Sequence, residues 1–185
     1  KAGGHDGLMY EHLKYGGTQL RLILVVLFQM MFDKSHVPCT QKRGVIISLF
    51  KGKGHKASYK DHYRGLTLLP VLSKLFETIM ANRLISKFND IDFPNCMQFG
   101  FEKGLSCSYA NFVMREAVFH YLGSKSKVFA CFLDFKKAFD TVWTNGLLYK
   151  LYWELGVTGK MWLMLRNLYS ELSGVVLYNG RYSEP

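Results

Sequence analysis

Apolar positions along this chain come in blocks, and the spacing inside each block sets the element it predicts. Across residues 20–32 the apolar side chains run nearly all the way round a helix, with Arg21 and Gln29 as the interruptions. That pattern predicts a buried helix over 19–33, capped by Thr18. Before it, Asp6 is placed to cap a short helix over 8–14, between a turn at Gly3, Gly4 and Gly7 and a break at Gly16 and Gly17. After a loop over 37–41 carrying Pro38, GVIISLF at 44–50 is a β-branched apolar run and predicts a strand. Pro70 suits the first turn of a further helix. There Leu72, Leu75, Phe76, Ile79, Met80 and Leu84 recur at helical spacing, with Ser73, Lys74, Thr78 and Asn82 mainly on the other side.

A polar connector with Pro94 follows at 89–95. Residues 108–122 predict a helix with Ala110, Val113, Ala117 and Val118 on one face. A turn over 123–127 leads to six apolar residues in a row, 128–133, which predict a strand buried on both faces with Cys131 in the core. Residues 145–155 predict a helix ended by Gly156, and Thr158 is placed to cap another over 159–172. GVVLY at 174–178 predicts a short strand, with Asn179-Gly180 as a hairpin turn.

Composition narrows the class. With 185 residues, 49% hydrophobic and 15% aromatic, the chain supports one domain, or a domain plus a lobe, and is not disordered. Its formal charge of +10 and pI of about 9.4 favour an acidic partner, nucleic acid first and a membrane surface second. Cys39, Cys96, Cys107 and Cys131 form no CxxC pair and no disulfide framework, which argues against zinc and against a secreted scaffold. The stretch 20–32 is too short and too polar to span a bilayer. No secretory signal and no repeat is visible, and the first residue is Lys1 rather than Met, as expected of an excised fragment.

Two stretches carry chemistry. The apolar run 128–133 ends on Asp134, and Lys136, Lys137, Phe139 and Asp140 follow at once. Acidic, cationic and aromatic side chains in so few residues suit a metal ion and a polyphosphate: the metal takes oxygen ligands, the phosphates take cations and backbone N–H groups. An Asp at this place also serves as a turn residue or a helix cap. The second stretch, 51–65, carries Lys51, Lys53, Lys56, Lys60 and Arg64 among Gly52, Gly54, Tyr59 and Tyr63. It reads either as a flexible loop that folds over phosphates or as a solvated basic hairpin. Nothing in it matches the P-loop pattern.

Three motifs, in order, carry a resemblance. FLDFKKAFDTVW (132–143) resembles the first catalytic motif of reverse transcriptases of non-LTR (LINE-type) retrotransposons. FKGKG (50–54) with DHYRGLTLLPVLSKLFETIMANRL (61–84) is similar to the family's fingers motifs, and QFGFEKGLSC (98–107) to its template-placing element. The likeness runs from Gly3 to Glu184. It implies an α+β, right-hand polymerase fold: fingers over 1–126 with interleaved palm elements, and the first part of the palm over 127–185, truncated before the second acidic motif.

The resemblance also implies roles. Asp134 would bridge two Mg²⁺ ions with help from the Phe135 backbone carbonyl. Lys51 and Arg64 would hold the incoming triphosphate, with the N–H groups of Lys137 and Ala138. Phe139 would be the steric gate against a ribose 2′-OH, and Gln98, Phe99, Gly100 and Phe101 would help place the template. Asp140 would have a structural role such as capping. The function implied is RNA-directed DNA polymerase, by two-metal nucleotidyl transfer in the full-length enzyme. The partners are an RNA template, a DNA primer and dNTP, without a membrane; the setting is intracellular, nuclear or cytoplasmic.

Some positions depart from the family pattern. His5 stands where Pro is usual, Glu102 and Lys103 where an Arg-Pro pair is frequent, and no Asp-Asp pair or later Asp follows Asp140. The 185 residues are therefore expected to be the front half of a polymerase domain, inactive alone. Two other readings stay open: a non-catalytic nucleic-acid-binding fragment of a degenerate element, and a truncated domain whose exposed sheet edge prevents stable folding.

Overall fold

The computed structural model describes residues 3–52, 54, 56–88 and 97–184. Lys1, Lys53, the connector at 89–95, Cys96 and Pro185 lie outside the described residues. At the centre of the sheet is β1, Arg43–Phe50, the strand expected from GVIISLF. On one side it pairs antiparallel with β2, Tyr63–Leu68, from Val45↔Leu68 to Phe50↔Tyr63. On the other it pairs parallel with β3, Ser173–Tyr178, from Arg43↔Ser173 to Ile47↔Leu177. A two-residue strand, β4 (Arg181–Tyr182), closes the order β2-β1-β3-β4. The turn between β3 and β4 is Asn179-Gly180, with φ of 48° and 75°. Two consecutive positive φ values match a type I′ hairpin, as that dipeptide predicts.

Among the described residues there are six α-helices: α1 (Tyr10–Tyr15), α2 (Gly17–Lys34), α3 (Val71–Phe88), α4 (Cys107–Gly123), α5 (Thr144–Trp153) and α6 (Gly159–Leu168). The residues divide into two compact units, Lys1–Arg83 with Trp143–Pro185, and Leu84–Val142. In the first unit the core is built from Val45 and Val175 of the sheet, Phe28 and Met31 of α2, Phe76 and Met80 of α3, Leu148 and Leu151 of α5, and Met164 and Leu165 of α6. Phe28 and Phe76 meet with ring centroids 5.4 Å apart. The loop after α2 is tied to the end of α6. The Val37 N–H donates to Asn167 Oδ1 (2.7 Å), and the buried Lys42 ammonium donates to the Asn167 carbonyl (3.3 Å). Glu171 stands 3.9 Å from the same ammonium.

Several expectations are corrected here. Burial of α2 is one-sided: Phe28 and Met31 are inside, while Leu22, Ile23, Val25, Val26 and Met30 are exposed. Only one face of the helix meets a neighbour in this fold, so an all-round apolar pattern does not yield all-round burial. Thr18 lies within its first turn, and Gly16 is the N-cap. Asp6 holds the Leu8 N–H (3.2 Å), and α1 begins two residues later than expected, with Met9 as N-cap. Ser73, assigned to the polar side of α3, is buried and donates to the Gln41 carbonyl (2.7 Å). Its small hydroxyl fits beside backbone and satisfies an acceptor there. Strand β2 is not among the elements that spacing predicts, although Leu66 and Leu68 alternate with Gly65 and Thr67.

The second unit holds α4, which has no buried residue, and the segment after it. Ser124 Oγ donates to the His120 carbonyl (3.1 Å) where α4 ends. The largest correction lies just beyond. Residues 128–133 form no strand, and Phe129, Phe132, Leu133 and Cys131 are exposed rather than core. A strand exists only where a neighbour takes up its N–H and C=O groups. The four strands of the sheet pair among themselves, and the apolar run has no ladder partner among the described residues. Among those residues, no helix is long and apolar enough to cross a membrane.

Candidate active site

The first unit carries Lys51 and Arg64 at one end of the β1–β2 hairpin. Arg64 is paired across from Leu49, and Tyr63 across from Phe50. Strand alternation therefore puts Arg64 on one face and the Phe50 and Tyr63 rings, 5.4 Å apart, on the other. Lys51 is the next residue beyond Phe50, on the Arg64 side of that alternation. Its ammonium donates to the Asp61 carbonyl (2.7 Å), and its N–H to the His62 carbonyl (2.9 Å). These bonds close the base of the basic loop. The Tyr63 hydroxyl donates to the Ala57 carbonyl (3.0 Å), and His62 Nδ1 lies 2.9 Å from the Lys56 nitrogen. Gly52 and Gly54, with φ of 88° and 86°, supply the left-handed backbone the turn needs. The base of the loop is thus stapled, and its described cations, Lys51, Lys56, Lys60 and Arg64, are exposed.

The second unit carries Asp134 to Phe139 and Gln98 to Phe101. The Asp134 carboxylate is exposed, and it leads into a turn over 136–141. Lys137 takes φ 53° there, and its carbonyl accepts the N–H of Asp140 (2.9 Å) and of Thr141 (3.1 Å). The Thr141 hydroxyl also donates to the Lys137 carbonyl (3.1 Å). The turn is therefore held by carbonyls, and among the described residues the N–H groups of Lys137 and Ala138 meet no acceptor. The Thr141 side chain thus helps to hold the turn, a role that spacing alone does not reveal.

Gln98 Nε2 donates to the Gly100 carbonyl (3.1 Å), folding 98–101 into a bend. Phe101 has φ 64°, a conformation costly for an aromatic residue, and its ring is almost wholly exposed. That ring meets Phe139 edge-on, with centroids 6.1 Å apart and planes at 89°. The segments expected to handle template and nucleotide are brought together at this contact. Lys51 and Arg64 belong to the other unit.

The donors at Asp134 suit a hard cation. A carboxylate and the Phe135 carbonyl are oxygen ligands of the kind Mg²⁺ takes. They make part of a cage: among the described residues no group of three or more His, Cys, Asp or Glu could hold a metal ion.

Residues 51–184 match the family described as Reverse transcriptase (RNA-dependent DNA polymerase). The chain belongs to the reverse transcriptase family. Among curated proteins, this reverse transcriptase chain is 32% identical over 151 residues to a probable RNA-directed DNA polymerase from transposon X-element of Drosophila melanogaster. It is 31% identical over 150 residues to an RNA-directed DNA polymerase from mobile element jockey of Drosophila funebris, and 32% over 152 to its namesake in Drosophila melanogaster. These alignments cover 82%, 81% and 81% of this chain and 16% of each relative, so the chain spans about a sixth of their length. The family inferred from the three motifs is thus the family found, and its relatives are named for mobile elements.

Proposed function

We propose that this chain is the segment of an RNA-directed DNA polymerase that supplies the first catalytic carboxylate and much of the nucleotide site. One observation carries the reading: the exposed Asp134 carboxylate and the Phe135 carbonyl lead directly into a turn whose Lys137 and Ala138 N–H groups meet no acceptor among the described residues. Oxygen donors followed by free N–H groups suit a metal-bound triphosphate. Asp134 and the Phe135 carbonyl would hold Mg²⁺, which when bound would neutralise phosphate charge as the primer 3′-oxygen, losing its proton, bonds to the α-phosphate of a dNTP and pyrophosphate leaves. Lys137 and Ala138 orient the triphosphate through backbone N–H groups, and Arg64 grips phosphate oxygens in bidentate fashion, with Lys51 beside it.

Phe139 crowds a ribose 2′-OH and selects dNTP over NTP. The bend at Gln98, Phe99, Gly100 and Phe101 lies along the RNA template. In this reading residues 1–126 are fingers with interleaved palm strands, and 127–185 begin the palm; the parallel pairing of β1 with β3 supports such interleaving. As a mobile-element enzyme it works on nucleic acid inside the cell.

The test is primer extension on an RNA template by the full-length protein, with Mg²⁺ and dNTP, for wild type and Asp134→Ala. Extension by wild type and at least a hundredfold loss in the variant is the expected result, since the acid acts at the reacting atoms. Equal extension by both removes Asp134 from the catalytic role.

A further inference from the structure

Between α5 and α6 lies an open cleft of about 700 Å³. Its walls are aromatic. Tyr149, Tyr152 and Trp153 come from α5 at i, i+3 and i+4, the spacing that puts side chains on one helix face. Trp162 and Tyr169 come from α6 and the residue after it. Tyr152 packs edge-on against Trp153 (5.0 Å) and Trp162 (5.4 Å), while Tyr149 lies 6.4 Å from Trp153. The Trp162 indole N–H donates to the Leu148 carbonyl (3.0 Å), which fixes that ring in place. Trp153 and Tyr149 are, by contrast, 70% and 60% exposed. A contiguous exposed aromatic patch, as opposed to a single exposed ring, marks a surface that binds something.

The chemistry of the lining narrows the occupant. Arg166 stands over the Trp162 ring at 5.6 Å, adding a flat guanidinium to the platform. Asn145, Thr144 and Ser170 bring an amide and two hydroxyls to the wall, and no carboxylate lines it. A cleft for an aliphatic helix would offer Leu, Ile and Met; here Leu148 is the one aliphatic liner, and it is buried. Stacking rings, one arginine, neutral hydrogen-bonding groups and a chain of charge +10 fit bases on a phosphate backbone.

We propose that the α5–α6 cleft is a binding site for single-stranded nucleic acid, its bases stacked on Tyr149, Trp153 and Trp162 and a phosphate met by Arg166. The proposal does not rest on the polymerase chemistry at Asp134.

Crosslinking of the full-length protein to single strands carrying 5-iodouridine, or 5-iododeoxyuridine in a parallel arm, tests this directly. Long-wavelength irradiation joins the base to an aromatic ring stacked on it, and peptide mapping locates the ring. The expected crosslinks fall on Tyr149, Tyr152, Trp153 or Trp162, and the two arms tell RNA from DNA. Tyr149→Ala with Trp153→Ala, both at exposed positions, lowers their yield about tenfold or more, and Trp153→Phe restores most of it. An unmodified strand competes, whereas an abasic strand of equal length, with charge but no rings, does not. Crosslinks that map only elsewhere, or equal competition by the abasic strand, overturn the proposal. So does displacement by a proline-rich peptide together with no effect of the unmodified strand, because aromatic grooves also take that ligand. Asp134→Ala keeps these crosslinks while losing extension, so failure of the polymerase reading and failure of the cleft are told apart.

Discussion

The rings of Phe101 and Phe139 meet edge to face, 6.1 Å apart at 89°, across 38 residues of chain. Phe139 is the proposed gate for the sugar of the incoming nucleotide, and Phe101 belongs to the bend proposed to follow the template. An edge-on contact positions a ring without covering its face. Phe139→Val opens space beside the 2′-position, and NTP incorporation relative to dNTP rises at least tenfold in single-nucleotide extension. Phe101→Ala leaves the gate ring in place but unsupported, and raises the same ratio by a smaller factor. Pairs of this kind contribute about 0.5–1.5 kcal/mol, and this one lies at the lower end because both rings are exposed. An unchanged ratio in Phe101→Ala would show that the contact does not position the gate.

Asn167 holds two parts of the first unit together. Its side-chain oxygen accepts the N–H of Val37, a residue 1% exposed. Asn167→Ala strands that donor away from water, which costs about 1–3 kcal/mol in chemical denaturation. Asn167→Asp keeps the acceptor and recovers most of the loss. Equal losses in the two variants would shift the explanation to packing.

Burial pushes the Glu77 carboxyl above its ordinary range, with Lys74 pulling the other way. The folded chain therefore holds this proton more tightly than the unfolded chain. Stability is full below the unfolded glutamate value and falls as pH rises through the raised folded value. Above that window the penalty is constant. Glu77→Gln removes it, so the variant gains on wild type in thermal melts at neutral pH and loses that advantage in acid. A difference independent of pH would sink this account.

The Lys160–Asp33 pair joins α6 to the end of α2 at 2.9 Å, and Lys160 with Gln29 holds the Asp33 carboxyl below its usual value. That contribution is present above the unfolded Asp value and fades as pH falls through the lowered one. Both groups face solvent, so Asp33→Asn changes the melting temperature by less than about 2 °C and the change shrinks in high salt. A large, salt-independent drop would mean that Asp33 does more than pair with Lys160.

Sequence spacing carried the local structure well. Strands β1 and β3, the Asn179-Gly180 turn and α3 to α6 lie within a few residues of expectation because their cues are local: β-branched runs, periodic apolar positions, a Pro at the start and Gly at the end. The motif reading reached the right family from three short strings. Burial was harder to read, because it depends on partners that lie elsewhere. Val175 and Phe129 both sit in apolar runs, yet Val175 pairs with Val45 of β1 and is buried, while Phe129 is 90% exposed. Strand β2 was missed for the converse reason. With Arg64 and Gly65 it has weak β propensity, and its pairing with β1 creates the strand. The chemistry proposed for the segment 134–140 was read from residue types, but the hydrogen bonds of Thr141 and the contact of Phe101 with Phe139 needed coordinates.

The parallel seam between β1 and β3 has a consequence for how the protein is made. Arg43 and Ser173 are register partners separated by 130 positions. At ~5–20 residues per second, a ribosome delivers β3 roughly 7–26 s after β1. Until then β1 has β2 on one side and an open edge on the other, and the whole of 84–142 is synthesised in the interval. Nascent chains of this protein therefore carry an unpaired apolar strand for seconds, long enough for chaperones to bind it and for neighbouring polypeptides on the same message to pair with it instead.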